Sequence, residues 1–167
     1  MPLNTTISTA IEGLLSTVTA TGSAEYKVAV SNVLRFLDGT GAGQIDRIYH
    51  AQRTLAASAT EDLDFSGSLT NPISGSAVFA RIKYILVEAV AGNTNNVNVI
   101  RPASNGVPLF LAAGDGIAVR PGGIFQHGVT DATGVVVTAG TGDLLTFTNS
   151  AGTTGVTYNL LVLGCSA

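Results

Sequence analysis

The chain has 167 residues, a length that suits one domain and lets it remove roughly 70% of its unfolded surface from water, so neither a disulfide nor a metal is needed to hold it together. Charged residues make up 11% of it, against about 25% in ordinary soluble domains, while 46% is hydrophobic and the formal net charge is −3. Two lysines, Lys27 and Lys83, and six scattered arginines form no basic patch, which excludes nucleic acid as a partner.

In chain order, Ile7, Ile11, Leu14, Leu15 and Val18 fall at a helical spacing with Asn4 or Thr5 available as a cap, against the opposition of Gly13 and many Ser and Thr. The segment reads as a weak amphipathic helix or an adaptable arm over residues 1–24, marginal on its own and in need of something to pack on. Ile7, Ile11, Leu14 and Val18 are its interface candidates. From Glu25 to the end the texture becomes period-two. Tyr26, Val28, Val30, Leu34 and Phe36 share one strand face, interrupted by Asn32. Further strands are expected at Arg47–Thr54, Glu61–Phe65, Val78–Val87, Asn96–Ile100, Val107–Leu111, Ile117–Arg120, Gly123–His127, Val135–Thr138, Asp143–Thr148 and Val156–Leu163. The stretch AVFARIKYILVEAV also fits a helix face, but its Pro72 and Gly75 boundary and all-β setting favour a strand. Short strands separated by turn residues predict an antiparallel β-sandwich over residues 25–167, jelly-roll-like, rather than a parallel α/β sheet.

The stretch DGTGAGQIDR, Asp38 to Arg47, and the later GTGD at Gly140 have the look of phosphate loops. A P-loop needs Lys and Ser/Thr after its last glycine, and a dinucleotide fingerprint needs a helix there. Both loops instead run into strand-like sequence, so both are expected to turn the chain. Glu61, Asp62 and Asp64 could suggest a hard cation; period two makes Asp62 and Asp64 a solvated face over Leu63 and Phe65. His50 and His127 have no metal-ligand spacing around them, and no nucleophile elbow is present. No catalytic, metal or cofactor residue is assigned, and the chain is not read as an enzyme. Cys165, alone, allows no internal disulfide. A signal-peptide pattern is missing at the start, and apolar runs such as Tyr84 to Val87 are too short to cross a bilayer, so no membrane partner is expected. GNTNNVNV reads as a turn entering a strand, with amides free to bond a neighbour.

A surface of Ser, Thr, Asn, Gly and Ala loses little side-chain entropy when covered, which favours an assembly subunit. From Gly39 onward the sequence also resembles the head-decoration or cement proteins of tailed bacteriophages. The matching pieces, in the same order, are GTGAGQIDRIYHAQRTLAASATEDLDFSGSLTN, FARIKYILVEAVAGNTNNVNV, VRPGGIFQHG and VTAGTGDLLTFTNSAGTTGVTYNLLVLG. The first forty residues fit less well. The resemblance implies a structural virion protein on the capsid exterior, made in the host cytoplasm. It would bind the major capsid protein and self-associate, with a homotrimer expected from the three-fold positions of capsid lattices. A tail, neck or fibre subunit is the alternative. A carbohydrate-binding module is disfavoured by the lack of Trp and 6% aromatic content.

Overall fold

A computed structural model describes residues 2–67, 69–71 and 75–167; Pro72, taken above as a strand boundary, lies outside the described residues. All regular structure among the described residues is β. Two long strands, β1 (Thr5–Thr19) and β2 (Gly22–Asp38), form an antiparallel hairpin, followed by the short β3 (Gln44–Ile45). The body comprises β4 (Arg47–Leu55), β5 (Thr60–Asp64), the short pair β6 (Thr70–Asn71) and β7 (Gly75–Ser76), β8 (Arg81–Ala89) and β9 (Val97–Ile100). It continues with β10 (Gly116–Val119), β11 (Ile124–Gly128), the short β12 (Val135–Val136), β13 (Leu144–Asn149) and β14 (Val156–Cys165).

Eight of these strands make a sandwich. One sheet has the order β10-β9-β13-β5 and the other β11-β8-β14-β4, with β12 also pairing β8. Period-two burial decides which side chains face inward. Leu63, Phe65, Val97, Val99, Leu145 and Phe147 from the first sheet meet Tyr49, Leu55, Ile85, Val87, Tyr158, Leu160 and Val162 from the second in one buried cluster. Phe147 and Tyr158 stack across the layers with ring centroids 4.8 Å apart and planes 6° from parallel.

The strand reading of AVFARIKYILVEAV holds, since Arg81–Ala89 is β8, paired with both β14 and β11. Two expectations are corrected. Residues Leu3 to Val18 are not a helix: β1 occupies Thr5–Thr19, and each of its fifteen residues has a partner on β2, from Thr5 opposite Phe36 to Thr19 opposite Gly22. Thr, Ile and Val are stiff at χ1 and Gly13 weakens any helix, whereas a complementary period-two strand follows two residues later. The expected boundary after residue 24 therefore falls inside β2. Val107–Leu111, expected as a strand, is a loop between Pro102 and Gly116. It is wound around Arg101, whose guanidinium donates to the carbonyls of Phe110 and Leu111, while Leu109 N–H bonds the Val107 carbonyl two residues back.

Candidate interaction surface

The hairpin is an arm with a rooted half and a free half. At the root, Ile7 and Leu34 lie half-buried against a second cluster of Phe36, Ile45, Tyr84 and Leu163, on the outer side of the β8–β14 sheet. Gly128 makes this docking possible, because a Cβ there would stand 2.6 Å from Leu34 Cδ1 and 2.8 Å from Tyr84 Cδ2. Where the arm passes β11, Gln126 Nε2 donates to Thr9 Oγ1 at 3.4 Å and Gln126 Oε1 accepts from the Tyr84 hydroxyl at 3.0 Å. A cleft of about 130 Å³ remains between arm and sheet, lined by Ile7, Asn32, Leu34 and Tyr84 among others.

Beyond Thr9 every residue through Val33 is exposed. Ten residues from Ala10 to Thr19 at about 3.3 Å each make an overhang of roughly 33 Å. Its two faces differ in kind. One carries Ile7, Thr9, Ile11, Gly13, Leu15 and Thr17 of β1 opposite Leu34, Asn32, Val30, Val28, Tyr26 and Ala24 of β2, without a single Asp, Glu, Lys, Arg or His. The other carries Thr6, Ser8, Ala10, Glu12, Leu14, Ser16 and Val18 opposite Arg35, Val33, Ser31, Ala29, Lys27, Glu25 and Ser23. All four charged residues of the hairpin strands before Asp38 are on that second face, where Lys27 and Glu25 approach to 3.9 Å. Leu15 is 71% exposed, Tyr26 66% and Ile11 60%. Of the four interface candidates, Ile7 is thus half-buried at the root, Ile11 lies on the neutral face, and Leu14 and Val18 lie on the charged face, the last 88% exposed. Leu15, Tyr26, Val28 and Val30, not among those candidates, complete the neutral face; the period-two face of Tyr26 to Phe36 was the signal that could have pointed to them.

The glycine loop fastens the root. Leu37 N–H bonds the Gly43 carbonyl, Gly39 N–H bonds the Ile45 carbonyl, and β2 pairs β3 in parallel through Leu37 and Gln44. Gln44 folds its side chain back over the loop, accepting from Gly41 N–H at 2.8 Å and leaving no room for a Cβ on Gly39. Gly43, with φ of 63°, turns the chain toward the body, where its N–H bonds Thr130. The later GTGD is likewise a turn, tightened by Asp143, whose Oδ2 accepts from Gly140 N–H and from Ser66 Oγ.

The body carries polar groups with internal partners. Arg53 holds Glu61 through three contacts, the shortest 2.5 Å, and bonds Tyr49; the Tyr158 hydroxyl donates to Glu61 at 2.6 Å. Burial alone would raise the Glu61 carboxyl, but hydrogen bonds from Arg53 and Tyr158 and the charge of Arg53 together hold it below the usual carboxylate range. Burial, reinforced by Glu61, pushes the Tyr158 phenol up. Asp62, exposed, accepts from Thr146, and Asp64 from Ser66. Asn93 serves Thr157 as a strand would, donating to its carbonyl and accepting from its N–H, and Asn95 bonds Thr154. These amides are engaged within the chain. His50 and His127 are exposed on different strands, and among the described residues no three His, Cys, Asp or Glu gather as metal ligands. No helix there is long and apolar enough to cross a membrane.

Comparison of the chain with protein-family models, curated proteins and solved structures finds no match.

Proposed function

We propose that this chain is a structural virion subunit, a decoration protein that sits on the exterior of a phage head and clamps neighbouring copies of the major capsid protein. The observation that carries the reading is the arm: a sandwich extended by a hairpin of fifteen residue pairs whose outer half exposes an uncharged apolar face. A lone two-stranded hairpin is marginally stable in water, so such a face is built to be covered. The sandwich adds support. Numbering its eight principal strands in chain order gives sheets 5-4-7-2 and 6-3-8-1, an order that supports a jelly-roll reading, a fold frequent in viral capsid proteins. The low surface charge and the resemblance from Gly39 onward point the same way.

The mechanism is mass action. A subunit that binds the assembled shell and not its dissociated proteins stabilises the shell by its binding free energy, repeated at each lattice position. A homotrimer is the proposed unit because three-fold positions recur in capsid lattices. Two measurements on purified particles test this. Quantitative mass spectrometry should give hundreds of copies per virion; about a dozen would place the chain in a tail, neck or fibre instead. Particles lacking it should release DNA at a lower temperature, and unchanged particles would rule out cementing.

A further inference from the structure

We infer that the neutral face of the arm is covered by the same face of another copy's arm, while the charged face stays outside that contact. A surface that meets copies of itself around a symmetry axis brings its residues against their own equivalents near the axis, where any ionisable group would meet like charge. The arm is sorted to fit this demand. Glu12, Glu25, Lys27 and Arg35 share one face, and none stands on the other between Thr5 and Gly22 or between Gly22 and Phe36. A face meant for a partner of different composition gains from complementary charges, and this one has none.

Continuity gives the second reason. The root rung of the same face, Ile7 with Leu34, is already packed on the chain's own body, so the face is of the kind that this protein buries. Past the Thr9–Asn32 rung it resumes as Ile11 with Val30, Gly13 with Val28 and Leu15 with Tyr26, now with nothing over it. An overhang of about 33 Å by about 10 Å, pressed against its equivalent, covers about 330 Å² on each copy and roughly 660 Å² in all, the size of a weak, concentration-dependent association. Gathered around the axis, hairpins that are marginal alone would share a small core of their own.

This contact presupposes that the chain is an assembly subunit, but its readout is oligomer mass with no particle present, so it stands or falls apart from the head location. Sedimentation of the full chain from about 1 to 100 μM should show a multiple of the monomer mass. Leu15→Glu with Val28→Glu should weaken association by at least about 100-fold, because the introduced carboxylates would leave water without partners. Leu14→Glu with Val18→Glu, on the charged face, should leave the mass unchanged. All four sites lie beyond the body, so both variants should keep the wild-type β circular-dichroism spectrum and hydrogen-exchange protection of the sandwich core, which controls for folding. A monomeric wild-type chain, an associated neutral-face variant, or dissociation caused by the charged-face variant would each overturn the inference. A dimer in place of a trimer would correct the stoichiometry and leave the face assignment standing.

Discussion

Glu61 has the same strand parity as Leu63 and Phe65, so the alternation that buries those two side chains also carries a carboxylate toward the interior. Arg53, on the inward parity of β4 with Tyr49 and Leu55, meets it from the opposite sheet. Replacing Arg53 by Ala would leave Glu61 with Tyr158 alone, at an expected cost of about 2 kcal/mol, the range for a charge-assisted bond lost from a partly buried site. For a chain of this size that lowers Tm by about 4–8 °C, readable by calorimetry. Because the Glu61 carboxyl is held below its unfolded value, its contribution is complete above the unfolded pKa and is lost as pH falls through the lower folded one. Thermal stability should therefore decline on acidification through the carboxylate range, and Glu61→Gln should flatten that decline; an unaltered profile would show that other carboxylates govern it. In the sequence alone, Asp62 and Asp64 are assigned to one face and Leu63 and Phe65 to the other, with Glu61 left without one; and one sequence does not say which arginine stands across from it, since that depends on how the two sheets face each other.

At the scale of elements, the arm shows where sequence patterns are ambiguous. Ile7, Ile11, Leu14 and Val18 step by four, three and four, which suits a helix, yet these residues divide between both faces of a strand. Period two along Tyr26 to Phe36 was readable directly. The partner strand was not, because Thr, Ser and Gly carry little contrast between apolar and polar positions. The hairpin also fixes where the chain can be cut. Removing residues 1–20 would strip β2 of its partner and uncover Phe36, Ile45, Tyr84 and Leu163, giving a less stable, aggregation-prone body. Replacing Ala10 to Ser31 by an Asn-Gly turn keeps the Ile7–Leu34 and Thr9–Asn32 rungs and should leave Tm within about 2 °C of wild type, since the removed residues are all exposed. Gly128→Val acts in the opposite sense. It spares the overhang but pushes Leu34 off Tyr84, and hydrogen exchange should rise at the arm root while the sandwich core stays protected.

For the whole molecule, most of the sandwich was visible beforehand, because punctuated strands of alternating hydrophobicity leave few other architectures. Val107–Leu111 escaped because a short apolar run interrupted by Pro108 looks the same whether it pairs or coils around Arg101. The projecting geometry of the arm was not visible, since it depends on the hairpin outrunning the sheet on which it is docked. That geometry predicts protease behaviour. Lys27 lies on the overhang, with its side chain 77% exposed, whereas Lys83 is wholly buried. Limited trypsin digestion of the dilute chain should cut after Lys27 first, and association, which leaves Lys27 on the outer face, should slow the cut by holding the strand against local opening. Equal rates in both states would mean that association does not steady the overhang.

A hairpin clamped at one end by the Gly39–Gly43 loop and the β2–β3 pairing works as a spacer gauge. The separation between bodies joined through their overhangs is then set by a count of residues, and the alternation of side chains makes that count matter in pairs. Deleting two residues from each strand of the overhang shortens the reach by about 6.6 Å and keeps the neutral side chains facing the same way. Deleting one from each strand changes the reach by half as much but rotates Glu12 and Lys27 relative to the root, presenting charge where Ile11 and Val28 had been. Spacing can thus be tuned only in steps of one full pleat, a quantised ruler written into the first forty residues.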